Sequence, residues 1–131
     1  MLKYFYKHQK YSEGKVRING KEFRTIIADS PMKRMIGLMF RNSMKENTCM
    51  LFIFPSEGRH GIWMQNMSFA IDVLWLDKDS KIIHTEERLQ PCNSFWNCKT
   101  YVPEKDAKYI IEMKAGAIKK NKIKKGSKIR T

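Results

Sequence analysis

Several features that define major protein classes are scarce or absent in this chain. Three cysteines in 131 residues are too few for a disulfide-rich scaffold. No segment approaches the ~20 consecutive apolar residues of a transmembrane helix, and the N-terminus has no recognisable signal peptide. P-loop, dinucleotide-binding, G-x-S-x-G and HExxH motifs are also absent. We therefore expect one soluble, cytoplasmic domain with no membrane partner.

Acidic residues are scarce, above all towards the C-terminus. The chain has 26 basic and 13 acidic residues, a net charge of +13, and no acid follows Glu112. A lysine-rich segment of this kind promotes solubility or contacts nucleic acid weakly. It lacks the interleaved aromatic residues that favour base recognition. The candidate nucleic-acid contacts are Lys119, Lys120, Lys122, Lys124 and Lys125.

Short apolar segments separated by turn signals predict a mainly-β domain. Residues 15–18 and 23–28 flank Asn19-Gly20, a strong β-hairpin signal, and Ser30-Pro31 predicts the start of a helix over residues 31–39. Further strands are predicted at residues 50–54, 70–76, 81–85, 109–113 and 128–130. We expect a compact antiparallel sandwich or barrel, jelly-roll-like, with one short helix after the first hairpin. Residues 15–131 would form this domain behind an N-terminal tail of residues 1–14.

A single acid, Asp72, interrupts one of the predicted apolar strands. An unpaired charge buried there would be strongly destabilising, so we predict that Asp72 pairs with Arg34 or Arg41. The two arginines and Gly37 share one stripe if the helix extends far enough, and Gly37 leaves space between them as a structural residue. The remaining alternative is that one arginine faces a cleft and binds an anionic ligand or a carboxylate.

The segment before Asp72 is rich in Trp, Met and Asn. Core packing alone accounts for such residues, but a ligand cleft also needs apolar walls with a few convergent polar groups. Trp63 and Met67 would supply walls, and Asn66, Arg41 and Asp72 the polar groups. We expect Trp63 to be partly exposed at the mouth of a concave site.

The cysteines and histidines do not form a recognisable metal or nucleophile motif. Cys92 and Cys98 have C-x5-C spacing, which does not match a zinc knuckle, and the histidines are scattered. We therefore predict no metal and no cofactor. The two cysteines are assigned a structural role, either as a disulfide that closes a loop or as the reduced pair usual in the cytoplasm outside hyperthermophiles. No convincing base accompanies Cys92.

Four motifs occur in a defined order. They are Arg34-x-x-Gly37-Leu38-Met39-x-Arg41, Met50-Leu51-Phe52-Ile53-Phe54-Pro55, Trp63-Met64-x-Asn66-Met67 and Ile71-Asp72-Val73-Leu74-Trp75-Leu76-Asp77. Together they resemble the domain-of-unknown-function 192 family, also called uncharacterised protein family 0127, over about residues 23–130. The resemblance implies a compact, mainly-β domain with no assigned activity. This chain departs from the family's pattern in having Ser127, where members often carry an acid, and Ile62, where they have an aromatic residue.

From these observations we expect a binding module for a small polar or anionic ligand, and we assign no catalytic residue. The candidate ligand-binding residues are Arg34, Arg41, Trp63, Asn66, Met67 and Asp72. One alternative is a hydrolase-like enzyme with Asp72 as its general base, which would require Asp72 in an open cleft with a perturbed pKa. The other is a basic protein that associates with nucleic acid without sequence specificity.

Overall fold

The computed structural model describes residues 2–94 and 96–130, and most of them belong to β-strands and their connections. In chain order the elements are α1 (Leu2–Lys7), β1 (Ser12–Ile18), β2 (Lys21–Ala28), α2 (Pro31–Ile36), β3 (Thr48–Gly58), β4 (Ile62–Trp63), β5 (Ile71–Leu76), β6 (Ile82–Leu89), β7 (Thr100–Tyr101), β8 (Ala107–Lys114) and α3 (Ala117–Lys120). A six-stranded sheet has the order β1-β2-β3-β8-β5-β6, and β4 pairs with β7 in a second sheet. The mainly-β prediction is confirmed, with a main sheet that is not closed into a barrel.

The first hairpin forms as the sequence predicts. Asn19 and Gly20 both have positive φ, 52° and 84°, as a two-residue type I′ turn requires. Ile18 therefore pairs with Lys21, and β1 and β2 run antiparallel along their full length.

The helix after this hairpin is confirmed, but it is shorter than predicted. Ser30 caps its N-terminus by accepting a hydrogen bond of 3.3 Å from the backbone N–H of Lys33. The helix ends at Ile36 because Gly37 has a φ of 51°. A Cβ at Gly37 would lie 3.1 Å from the Phe52 ring, so the glycine also allows close packing against β3.

The main sheet is mixed and not purely antiparallel. β2 and β3 run parallel, with Ala28 paired to Phe52, whereas the other neighbouring pairs of the main sheet are antiparallel. A parallel pair needs a crossover connection, which residues 29–47 with α2 supply.

Both faces of the central strands are buried. On β8, Ile110 packs into one hydrophobic cluster and Ile111 into another, because successive side chains of a strand point to opposite faces. We call the first the α2 face, which includes Phe52 and Trp75, and the second the α3 face, which includes Leu74 and Ile118. By the same alternation Glu112 points to the α2 face and Asp72 to the α3 face.

The C-terminal segment contacts both edge regions of the main sheet. Arg130 exchanges two backbone hydrogen bonds with Arg17 of β1, of 2.6 and 3.1 Å. Lys128 forms a bridge with Lys81, immediately before β6, and Ile129 donates to Ser80. The predicted last strand therefore exists as isolated bridges. None of the helices formed by the described residues has the length and apolar character needed to cross a bilayer.

Candidate functional site

A cleft of about 380 Å³ lies where α2 and the residues after it meet the α2 face of the main sheet. Its floor comes from β3 and β8, and another wall comes from β4 and the turn that follows it. The lining residues include Arg34, Phe52, Phe54, Trp63, Met67 and Glu112. Three of the residues predicted to bind a ligand, Arg34, Trp63 and Met67, are therefore brought together.

Glu112 is the most unusual group in this cleft. It lies on β8, paired with Met50 of β3 on one side and with Val73 of β5 on the other. It is 5% exposed, and its carboxyl group has no hydrogen bond or ion pair with a described residue. Burial raises the pKa of Glu112 to about 8. The carboxyl group is therefore mostly protonated at neutral pH and can donate a hydrogen bond.

Arg34 supplies a positive charge to the same cleft. Its Nη1 donates a hydrogen bond of 3.0 Å to the carbonyl oxygen of Ile53. Its guanidinium carbon lies 5.2 Å from the centre of the Phe54 ring, which also stacks on His60 at 3.8 Å. These contacts orient the guanidinium and leave further N–H groups available to a ligand.

Trp63 and Met67 add apolar surface. Trp63 is 45% exposed, in agreement with the expectation from the sequence, and it pairs with Thr100 of β7. A Cβ at Gly61 would lie only 2.7 Å from the Thr100 side chain, so glycine is needed for β4 and β7 to approach. Met67 is buried.

Asp72 is fully buried but does not reach the cleft. Its Oδ1 accepts a hydrogen bond of 2.8 Å from the backbone N–H of Arg88, and its Oδ2 accepts bonds of 3.1 and 2.9 Å from those of Gly116 and Ile118. The carboxylate therefore joins β5 to the bulged strand β6 and to the start of α3. Backbone amides meet the hydrogen-bonding needs of a buried carboxylate as well as a cation does.

The predicted ion pair between Asp72 and Arg34 or Arg41 is therefore wrong. Asp72 points to the α3 face, whereas both arginines line cavities that include residues of the α2 face. The sheet separates the groups. The hypothesis of a hydrolase with Asp72 as base also fails on this geometry, because the carboxylate has no exposure and both oxygens are occupied.

Arg41 lies apart from Arg34. Because α2 ends at Ile36, Arg41 does not continue the helical stripe that was predicted for both arginines. It lines a different cavity, together with Tyr11.

Asn66 is not among the residues that line the cleft, and the structure gives it a local role. It has a left-handed backbone with a φ of 61°, which asparagine tolerates better than most residues. Its carbonyl oxygen accepts a hydrogen bond of 3.2 Å from the backbone N–H of Phe40. Asn66 thus connects the turn after β4 to the segment after α2, and these two segments form cleft walls.

Cys92 and Cys98 form a disulfide, with 5.8 Å between their Cα atoms. The backbone N–H of Cys92 donates to the carbonyl oxygen of Met64 at 3.0 Å, so the closed loop is attached to the segment that carries Trp63. Cys49 is buried, and burial raises the pKa of its thiol to about 11. Within the described residues, no group of three His, Cys, Asp or Glu side chains could hold a metal ion.

Sequence reasoning missed Glu112, although the signal was present. The segment 109–113 was predicted as a strand, and Glu112 is the one acid within it. The argument that singled out Asp72, an acid in an apolar strand, applies equally to Glu112. The two acids differ in that Asp72 has backbone partners, whereas Glu112 has no partner in the part of the chain that the structure describes.

Comparison with known proteins assigns this arrangement to a family. The family model of DUF192, described as "Uncharacterized ACR", matches residues 14–131. The chain belongs to the DUF192 family. It is 34% identical over 117 residues to a UPF0127 protein from Pyrococcus furiosus, covering 84% of this chain and 90% of the relative. It is 35% identical over 113 residues to a UPF0127 protein from Pyrococcus abyssi, covering 82% and 86% respectively.

A solved structure of another protein has a fold similar to that of this DUF192 chain. A crystal structure from Sinorhizobium meliloti, named as a "putative transcription regulator", superimposes with a TM-score of 0.85. The two sequences are 25% identical, and the match covers 92% of this chain and 95% of the other. The resemblance to the DUF192 family found in the sequence is therefore confirmed, together with the mainly-β fold that it implies.

Proposed function

We propose that this protein binds a small molecule with an apolar body and an anionic or hydrogen-bond-accepting group in the cleft between α2 and the main sheet. The observation that carries the proposal is Glu112, a buried carboxyl group in the cleft floor that has no hydrogen-bond partner among the described residues. Buried polar groups in folded proteins are nearly always hydrogen-bonded. A cleft that leaves one unpaired is suited to a ligand that completes the bond.

The charge of the cleft selects the ligand class. Arg34 is cationic, whereas Glu112, with a pKa of about 8, is mostly neutral at pH 7. The site therefore offers a positive charge and an O–H donor to an acceptor such as a carboxylate or a carbonyl oxygen. An amine ligand would be repelled by Arg34 and would require ionisation of Glu112.

The size of the cleft limits the ligand to a small molecule. Its volume of about 380 Å³ lies at the lower end of the range for small-molecule sites, ~300–1,000 Å³. Phe52, Trp63 and Met67 provide apolar and aromatic surface suited to a ring or a short aliphatic body.

Benzoate and benzylamine form a matched pair of probes, because they share a ring and differ in charge. We expect benzoate to shift the amide signals of Trp63 and Glu112 saturably at pH 7, and benzylamine to bind more weakly. Arg34→Gln should weaken benzoate binding about tenfold through loss of a charge-assisted hydrogen bond. Benzoate affinity should also fall above pH 8, where Glu112 ionises and no longer donates.

Tryptophan substitutions give the control for this experiment. Trp63→Ala removes part of the cleft wall and should weaken benzoate binding. Trp96→Ala removes a tryptophan that is 85% exposed and lies outside the lining, so benzoate affinity should not change. Equal affinity for benzoate and benzylamine, or equal effects of the two substitutions, would reject the proposed cleft.

A second candidate function, weak contact with nucleic acid, rests on the lysine-rich end of the chain. Lys120 and Lys125 form ion pairs with Glu46 and Glu104. The other three candidate lysines surround an open concavity of about 870 Å³ and have no ion pair among the described residues. They are Lys119, Lys122 and Lys124. We propose that they contact phosphate groups without reading bases, a role compatible with the name of the Sinorhizobium protein.

A further inference from the structure

A second cavity, of about 430 Å³, shares no lining residue with the Glu112 cleft. It is formed where the segment after α2 meets β1, β2 and the start of β3. Its polar lining includes Tyr11, Glu13, Arg24, Arg41, Lys45 and Thr48. The residues of this cavity carry both positive charges and hydroxyl groups, which distinguishes it from the largely apolar cleft.

Arg41 contacts two aromatic rings at this cavity and has no acidic partner among residues 2–94 and 96–130. Its guanidinium carbon lies 5.6 Å from the centre of the Tyr6 ring and 5.5 Å from that of Tyr11. Two aromatic contacts of this kind favour an orientation of the guanidinium against the rings. Its Nε is buried and has no hydrogen-bond partner among the described residues. A buried, unpaired donor on a cation is unfavourable unless an anion completes it.

Tyr11 presents a second unused donor beside Arg41. Its hydroxyl oxygen is also buried, and the polar side chain beside it is that of Arg41, which has no acceptor atom, so the O–H donor is unused among the described residues. Burial raises the pKa of Tyr11, and the nearby charge of Arg41 only partly offsets this effect. The hydroxyl group therefore remains protonated at neutral pH and can donate to an anion.

The charge balance of the lining leaves two cations free. Arg24 is bound to Glu13 at 2.7 Å, so the one acid of the lining is already neutralised. Arg41 and Lys45 have no ion pair with a described residue. We infer that this cavity binds a phosphate group, which Arg41 and Tyr11 contact directly and Lys45 attracts.

A phosphate group matches this donor set better than a carboxylate does. It carries between one and two negative charges at neutral pH and has three or more acceptor oxygens. Two unpaired cations, a forked guanidinium and separate hydroxyl donors at Tyr11 and Thr48 can all be used by such a group. A carboxylate would occupy the guanidinium and leave the remaining donors unsatisfied. The phosphate could be free or part of an organic ester.

The inference is tested by titrating the whole protein with inorganic phosphate at low ionic strength. The measurement is the change in the amide chemical shifts around Arg41. We expect saturable binding with a dissociation constant of about 1 mM or lower. Arg41→Gln should weaken it at least about tenfold. Tyr11→Phe keeps the ring over Arg41 and removes only the unpaired hydroxyl, so it should weaken binding while leaving the melting temperature unchanged or higher.

Three comparisons complete the test. Arg17→Gln removes an equally charged but exposed arginine of β1 and should leave phosphate affinity unchanged. Acetate should bind more weakly than phosphate. Glycerol 2-phosphate binding more tightly than inorganic phosphate would identify an ester as the ligand, and equal affinity would identify the free ion.

The inference is overturned if phosphate does not saturate the wild-type protein, or if acetate binds as tightly. Loss of affinity in Arg17→Gln equal to that in Arg41→Gln would mean that only overall charge matters. If Arg41→Gln fails to fold, Tyr11→Phe decides alone, and undiminished phosphate binding by that variant rejects the site.

Discussion

Glu112→Gln should make the protein more stable at pH 8 and leave its stability nearly unchanged at pH 4. The folded-state pKa of Glu112 is about 8, against 4.5 for the unperturbed carboxyl group. Below pH 4.5 both the folded and the unfolded chain carry the proton, and burial has no ionic cost. As the pH rises from 4.5 to 8, the unfolded chain releases its proton but the folded chain keeps it, so the free energy of unfolding falls. Above pH 8 the loss is complete.

The magnitude follows from the size of this shift. About 3.5 pKa units at roughly 1.4 kcal/mol each give a loss of roughly 3–5 kcal/mol between pH 4.5 and pH 8. Glutamine is nearly isosteric with the protonated carboxyl group and does not ionise, so Glu112→Gln should lack this loss. That difference is a large fraction of the ~5–15 kcal/mol stability of a typical domain.

Urea unfolding at several pH values, followed by circular dichroism, measures the effect directly. The difference in unfolding free energy between Glu112→Gln and the wild type cancels the titration of all other groups. We expect it to grow from near zero at pH 4 to a few kcal/mol at pH 8. A difference that stays constant across this range would mean that Glu112 titrates normally, and the argument for an unpaired buried carboxyl group would be wrong.

Three further predictions concern other parts of the molecule. Asp72→Ala should lower the free energy of unfolding by about 3 kcal/mol or more, because it leaves buried backbone donors unpaired. In a double-mutant cycle measured by thermal melts, Asp72→Ala and Arg34→Ala should show no coupling. A coupling above ~1 kcal/mol would restore the ion pair that the geometry excludes. Gly37→Ala should lower the free energy of unfolding in urea by about 1–3 kcal/mol, because Gly37 has a positive φ and a Cβ there would press on the Phe52 ring. An unchanged urea midpoint would contradict the role given to this glycine. Charge reversal of three lysines should abolish salt-sensitive binding of a random DNA duplex in an anisotropy assay. The same reversal at Lys10, Lys78 and Lys105 should reduce DNA binding much less. Equal losses of DNA affinity in the two variants would mean that DNA contacts another surface. The three lysines are Lys119, Lys122 and Lys124.

The elements that local patterns specify were predictable from the sequence. Asn19-Gly20 fixes a hairpin through backbone conformations that few other pairs adopt. Ser30-Pro31 fixes a helix start through capping and a preset φ. The end of that helix was predicted three residues too late. The apolar periodicity of the sequence continues past Gly37, whereas the positive φ of Gly37 ends the helix at Ile36.

The partners of buried polar groups were not predictable in the same way. The sequence indicated that Asp72 is buried and must be satisfied, and this expectation agrees with the structure. It did not reveal that the donors would be the amides of Arg88, Gly116 and Ile118, since every residue carries such an amide and only the tertiary fold brings particular ones together. Side-chain patterns therefore favoured arginine as the partner, and they included Asp72, which does not reach the cleft, among the candidate ligand-binding residues.

The bridges made by residues 128–130 determine when the two edges of the main sheet become covered during folding. An edge strand with unpaired backbone groups is a template for aggregation until something covers it. Here one short segment pairs with Arg17 near one edge of the sheet and with Lys81 near the other. Because this segment follows every strand of the sheet in the chain, β1 and β6 both stay uncovered until it docks. A chain truncated before Lys128 should therefore aggregate more readily than a chain that includes residues 128–130.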